Sequence, residues 1–332
     1  MTVGFVGAGS WGTTLAVHLA SQGHDVLLWA YDPAQTLRLR AERENHLYLP
    51  GIPFPDRITI VDDVNEAASA SVVVIATPTQ FIRGTMARVS ADLLARAVVV
   101  SVSKGIEQGT LLRISELLHA THGVEAERFV ALSGPSHAEE VAQRIPTLVV
   151  AACASLATAE RVQDLFNADH LRVYRSDDII GVELGGAVKN VIAVCAGILD
   201  GLAFGDNTKA ALMTRGLAEI TRLGVALGAH AQTFSGLSGL GDLIVTCTSR
   251  HSRNRHVGEE IGRGRRLEEV VGEMKMVAEG VTTTSSAHQL AARLGVETPI
   301  TNEVYRVLFE GKDPREATYA LMTRQMKHEI WT

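Results

Sequence analysis

Cysteine is scarce in this 332-residue chain, and the three present, Cys153, Cys195 and Cys247, have no paired spacing. That excludes a disulfide framework and a cysteine metal cage. It fits a reducing compartment, where cysteines serve as small apolar residues. A basic excess is also missing, since the formal net charge is −6; a general binder of nucleic acid or of anionic membranes needs the opposite sign. The longest apolar stretch, Leu184 to Leu199, is interrupted by Lys189 and Asn190. It falls short of the about 20 residues that cross a bilayer, so it reads as a buried helix and no membrane span is expected. Twelve histidines occur, but none in HExxH or another ligand spacing, and no G-x-S-x-G is present. No metal is therefore expected, and nucleophilic hydrolysis has no support. No targeting segment precedes the strand starting at Thr2, which makes the cytoplasm the expected location.

What is present is enough apolar residue, 46%, to bury two cores in a chain of this length. The first half alternates short β-branched runs with helical segments, the mark of a parallel sheet covered on both faces. Strands are predicted at Val3–Val6, Val26–Ala30, Ser71–Ala76, Ala97–Val102, Arg128–Leu132, Thr147–Ala152 and Leu171–Tyr174. From Asp178 onward helical periodicity takes over, with helices predicted over 181–202, 208–228, 256–264, 267–273, 284–294 and 300–310. The fold class is α/β: a Rossmann-type doubly wound sheet over residues 1–180 and an all-α domain over 181–332.

Gly7-Ala8-Gly9-Ser10-Trp11-Gly12 fits G-x-G-x-x-G directly after a strand and at the opening of a helix that runs to Gln22. In that context Gly7 permits a tight turn, Gly9 lets the backbone approach a pyrophosphate, and Gly12 allows close helix–strand packing. The helix N-terminus then meets the phosphate charge, so a nicotinamide dinucleotide is the expected cofactor. Asp32, about 20 positions on, is placed either to accept from the adenosine ribose or to cap the next helix at Pro33. Arg38 and Arg40 are within reach of a 2′-phosphate, and the choice between NADH and NADPH stays open.

Ligands in such sheets bind beyond the carboxyl ends of the strands. Ser103-Lys104-Gly105 and Ser133-Gly134-Pro135-Ser136-His137 stand there, with Lys104 either a cleft cation or a surface lysine. Lys189 is the only charge in its apolar stretch. Buried lysines are paired or functional, and burial eases loss of the proton, which suits acid–base work; the alternative is a side chain that snorkels to water. Between Ser249 and Arg266 six arginines face two glutamates, a local reversal that suits a small anion or a solvated loop. Without interleaved aromatics it is not a nucleic-acid surface. His137 and His251 read as polar neighbours of the site rather than catalysts.

Taken together, Gly7–Gly12, Ser103–Gly105, Ser133–Ser136, Gly186-Ala187-Val188-Lys189-Asn190, Gly205-Asp206-Asn207-Thr208-Lys209, Leu240-Gly241-Asp242 and Ser252-Arg253-Asn254 resemble the bacterial-type NAD(P)-dependent glycerol-3-phosphate dehydrogenases, in order and across the chain. The resemblance implies reversible reduction of dihydroxyacetone phosphate to sn-glycerol 3-phosphate for glycerophospholipid synthesis. It implies Lys189 as general acid/base, with Lys104 and Asp242 beside it in the catalytic set. It implies substrate contacts from Lys104, Gly134, Ser136, Lys189, Asp242, Ser252, Arg253 and Asn254. Cofactor contacts are implied for Gly7, Gly9, Ser10, Trp11, Gly12, Tyr31, Lys104, Ala138, Arg253, Val277 and Glu279, and a homodimer as the assembly. Many relatives carry a basic residue where this chain has Tyr31. Two rivals remain: a dehydrogenase of another hydroxy or sugar acid, and a dinucleotide sensor without turnover.

Overall fold

The computed structural model describes residues 1–326, 328 and 329. Eight strands form one sheet: β1 (Thr2–Val6), β2 (Asp25–Trp29), β3 (Ile58–Val61), β4 (Val72–Ile75), β5 (Val98–Ser101), β6 (Phe129–Ser133), β7 (Thr147–Ala152) and β8 (Leu171–Ser176). They lie in the order β8-β7-β6-β5-β4-β1-β2-β3, so the stretch from β3 to β6 reads 3-2-1-4-5-6, the dinucleotide-binding arrangement. Alternate residues point to opposite faces. Val3, Phe5, Val72 and Val74 join Leu15 and Leu19 in one core, while Val6, Trp29, Val73 and Ile75 join Ile82 and Leu117 in the other. Helices thus cover both faces, as a doubly wound sheet requires.

Three features depart from the expected pattern. β3 was not expected: Ile58–Val61 follows a stretch carrying Pro50, Pro53 and Pro55, whose turn chemistry hides a four-residue strand. That stretch itself supplies a small antiparallel pair, Glu44–Asn45 with Leu49–Pro53. The sheet is also not wholly parallel, because β7 runs antiparallel to β6. The link from Ser133 to Thr147 holds only a five-residue helix, Ala138–Ala142, too little to cover the sheet and return the chain in parallel.

The helical part begins two residues after β8. Its elements are α2 (Ile179–Gly201), α3 (Asp206–Ala226), α4 (Asp242–Thr248), α5 (Arg253–Gly262), α6 (Leu267–Glu273), α7 (Glu279–Leu294), α8 (Pro299–Phe309) and α9 (Pro314–Met322), with α1 (Ser10–Ser21) being the helix after β1. α4 and α9 are additions to the expected set; a single π-turn, Leu237–Gly241, precedes α4 and breaks its periodicity. α2, expected over 181–202, extends the apolar run Leu184–Leu199 at both ends: its 23 residues are long and apolar enough to cross a membrane, yet 94% of its most apolar window is buried inside the protein, as expected of a buried helix. It is the core helix, collecting Val188, Val191, Ile192 and Ile198 into one cluster with α3, α5, α7 and α8. α5 lies backbone to backbone on it. A Cβ on Gly197 would stand 1.9 Å from the Arg255 carbonyl oxygen, and one on Gly258 would stand 1.9 Å from that of Val194. No side chain fits at this crossing, so the two helices meet as bare main chain.

Candidate active site

A cavity of about 350 Å³ opens where the carboxyl ends of β1, β4 and β5 face α2, α4 and α5. The glycine loop forms one end. Gly7 sits at φ +120°, and a Cβ there would come within 2.8 Å of the Ala76 carbonyl. Gly9, Ser10 and Trp11 line the cavity, whereas Gly12 lies beneath them, where a Cβ would meet the Gly7 carbonyl oxygen at 2.2 Å. Two buried polar atoms here lack partners among the described residues, Trp11 Nε1 and Glu279 Oε2. Glu279 Oε1 accepts from the Thr79 amide at 2.7 Å, and burial lifts its carboxyl to about 7 against that hydrogen bond and Arg253. Unpaired buried polar groups are costly, so this pair, beside a helix N-terminus whose first amides have no intrahelical acceptor, fits a dinucleotide rich in donors and acceptors.

At the far wall α2 delivers Lys189, 5% exposed, because α2 presses against its neighbours through small residues. A Cβ on Gly185 would lie 2.6 Å from the Ser238 carbonyl oxygen, and one on Gly186 would lie 2.7 Å from Ser133 Oγ. Lys189 Nζ donates to Asp242 Oδ1 at 2.7 Å and to Thr246 Oγ1 at 2.6 Å. Lys104 Nζ donates to the other oxygen, Asp242 Oδ2, at 2.8 Å and to the Gly134 carbonyl at 3.0 Å. One carboxylate, 1% exposed, therefore bridges two ammonium groups. Burial brings Lys189 down to about 8; Asp242 resists that shift and Lys104 adds to it. Burial pushes the Asp242 carboxyl up, but the two lysines outweigh it and hold it below the usual carboxylate range.

The remaining wall of the cavity is built on the first turn of α5. Ser252 caps the helix, its Oγ accepting from the Arg255 amide at 3.2 Å. Asn254 is held by both ends of its amide: Nδ2 donates to Asn190 Oδ1 at 2.8 Å, and Oδ1 accepts from the Gly280 amide at 2.9 Å. Arg253 lies exposed on the cleft rim and donates to the Val277 carbonyl at 2.8 Å. Ser136, Ala138, Val277 and Tyr31 line the same cavity, Tyr31 being 71% exposed. Gly134 does not line it; its carbonyl instead holds Lys104 and Ser136 Oγ. Asp32 is the N-cap of the helix Pro33–Glu42, accepting from the Ala34 amide at 2.9 Å. Arg40 is tied to Asp62 at 2.8 Å. Among the described residues no three His, Cys, Asp or Glu side chains gather as metal ligands would.

Thr246 and Tyr48, both lining the cavity, were missed by sequence reasoning. Thr246 had a signal, since it stands four residues after Asp242 and so on the same helix face. Reading it required α4 to be recognised as a helix.

Family models for the N- and C-terminal parts of NAD-dependent glycerol-3-phosphate dehydrogenase match residues 2–159 and 178–319. The chain belongs to this family. It is 54% identical over 331 residues to a glycerol-3-phosphate dehydrogenase (NAD(P)+) of Citrifermentans bemidjiense, covering 98% of each chain. With the corresponding enzyme of Chlorobium phaeobacteroides it shares 52% over 332 residues, 99% of each. The crystal structure of glycerol-3-phosphate dehydrogenase from Coxiella burnetii superposes with a TM-score of 0.92 at 35% identity, over 97% of this chain and 99% of that one. A D-mandelate dehydrogenase, at 13% identity and a TM-score of 0.63, shares the fold alone.

Proposed function

We propose that this dehydrogenase reversibly reduces dihydroxyacetone phosphate to sn-glycerol 3-phosphate in the cleft between a dinucleotide-binding domain, residues 1–180, and a helical substrate-binding and catalytic domain, residues 181–332, each lending some residues to the other's ligand. The observation that carries the reading is the Lys189–Asp242–Lys104 bridge in the cavity that the glycine loop opens. The nicotinamide, when bound, supplies or accepts hydride. In the reducing direction negative charge grows on the carbonyl oxygen, and Lys189 as ammonium donates its proton there; in reverse its neutral amine removes one. Lys104 stabilises the developing oxyanion, and Asp242 holds both amines in place. Ser252, Arg253 and Asn254 fix the phosphate away from the reacting carbon, and Ser136 assists, turning binding energy into orientation. Gly9, Ser10, Trp11, Tyr31, Ala138, Val277 and Glu279 hold the dinucleotide.

Offering dihydroxyacetone phosphate, dihydroxyacetone and 2-keto acids with NADH and with NADPH tests the reading; oxidation of neither cofactor by the phosphorylated ketone refutes it. Arg253→Ala is expected to weaken substrate binding and to erode the preference for the phosphorylated ketone. Unchanged preference would put the anion grip elsewhere. The pH dependence should split by direction. Because Lys189 titrates at about 8, reduction declines as pH rises through that value and the ammonium is lost, while oxidation gains as the amine forms. Initial rates in both directions from pH 6 to 10 check this. The family also carries the expectation of a homodimer, which light scattering decides.

A further inference from the structure

Two histidines meet across the cavity with no part in the chemistry above. His137 lies between β6 and the helix Ala138–Ala142, and His251 lies between α4 and α5. Their rings are 5.9 Å apart, centroid to centroid, and both line the cavity. Each adjoins a serine of the proposed phosphate grip, giving Ser136-His137 on the sheet side and His251-Ser252 on the helical side. His137 Nε2 is shielded from water and has no hydrogen-bond partner among the described residues. An unmade hydrogen bond inside a ligand cavity points to a ligand that makes it.

We infer that His137 is a further substrate-binding residue, whose ring turns to bring the sheltered Nε2–H into the cavity, where it donates to the phosphate of the substrate once that group occupies the space between His137, His251 and Arg253. The inference rests on the proposed function for the identity of the anion. The groups facing His137 agree with it: burial, Lys189 and Lys104 disfavour its charged form, Glu139 and Glu140 favour it, and the balance keeps the imidazole below its ordinary range. The ring is therefore neutral in the empty cleft, and His251 approaches it without charge repulsion. A phosphate dianion reverses that balance, drawing the ring toward its charged, doubly donating form.

The test compares His137→Phe, which keeps a ring but no donor, with His137→Gln, which keeps an N–H of similar reach. His137→Phe should raise KM for dihydroxyacetone phosphate about 10-fold or more, the weight of a hydrogen bond to a charged group. Turnover, KM for the cofactor and the rate with unphosphorylated dihydroxyacetone should hold within about twofold, and His137→Gln should recover most of the loss. Binding of inorganic phosphate to the cofactor-loaded enzyme, followed by calorimetry, gives a measure independent of turnover. It should weaken in His137→Phe even if the physiological ketone proves to be another phosphate ester, which separates this inference from the reading of function. Unaltered phosphate binding in His137→Phe, or a rise confined to the cofactor's KM, overturns it.

Discussion

Lys189→Ala is expected to lower turnover by about 10²–10⁴-fold, the range for losing an acid–base group. Lys189 is 5% exposed, and among the described residues its amine is bonded only to Asp242 and Thr246. Among the cavity-lining groups of the far wall it alone pairs burial with a titration at about 8, close enough to neutrality to give and take a proton. Lys104, the other cation, is bound to Asp242 and to the Gly134 carbonyl, which suits it to steady charge rather than to exchange a proton. The fold should survive, since the carboxylate keeps Lys104 as partner. Cofactor binding, followed by quenching of Trp11 fluorescence, should be little altered. Near-normal turnover in this variant would remove Lys189 from the mechanism, whatever its effect on KM.

Asp242→Asn should be nearly as damaging, for a different reason. The substitution deletes one negative charge between two ammonium groups, leaving the lysines facing one another in a buried space. Taking one partner from a buried pair costs on the order of 3–5 kcal/mol, and part of that is relieved when Lys189 gives up its proton. Asp242 holds the proton on Lys189 while Lys104 works against it, so without the carboxylate Lys189 should titrate below about 8. Reduction should then lose about 10²–10³-fold near neutrality, as for other sites stripped of one preorganised electrostatic group. Its alkaline limb should move to lower pH. A variant of unchanged thermal stability whose alkaline limb has not moved would show that Asp242 does not govern that proton.

Much of the architecture is legible because it is local. A strand, three spaced glycines and a helix lie within 20 residues, and a lone lysine in an apolar helix stands out by contrast with its neighbours. What escaped the sequence is long-range or masked by turn residues. The bridge through Asp242 joins residues 53 and 138 positions apart, and no periodicity encodes that; Asp242 stood out only as part of a polar stretch, and its role came through a family resemblance. β3 was hidden by prolines and α4 by a π-turn rich in glycine, and with α4 went Thr246. Glu219 is a further case. Buried in α3, it accepts from the Ile300 and Thr301 amides at 2.6 and 3.1 Å and so caps α8, yet in the sequence it is an ordinary helical glutamate. The capping role of Asp32 shows the converse, a short-range alternative open on the page and resolved by one hydrogen bond.

The glycine contact between α2 and α5 bears on how long a substrate the enzyme accepts. Lys189 rides on one of these helices and Arg253 on the other, and where the helices touch there is no side chain to repack. If Lys189 and Arg253 act as proposed, the span from the protonated oxygen to the phosphate is thereby set like the jaws of a fixed gauge. Lengthening the substrate by a carbon would require the jaws themselves to part, and trimming residues around the cleft would not achieve it.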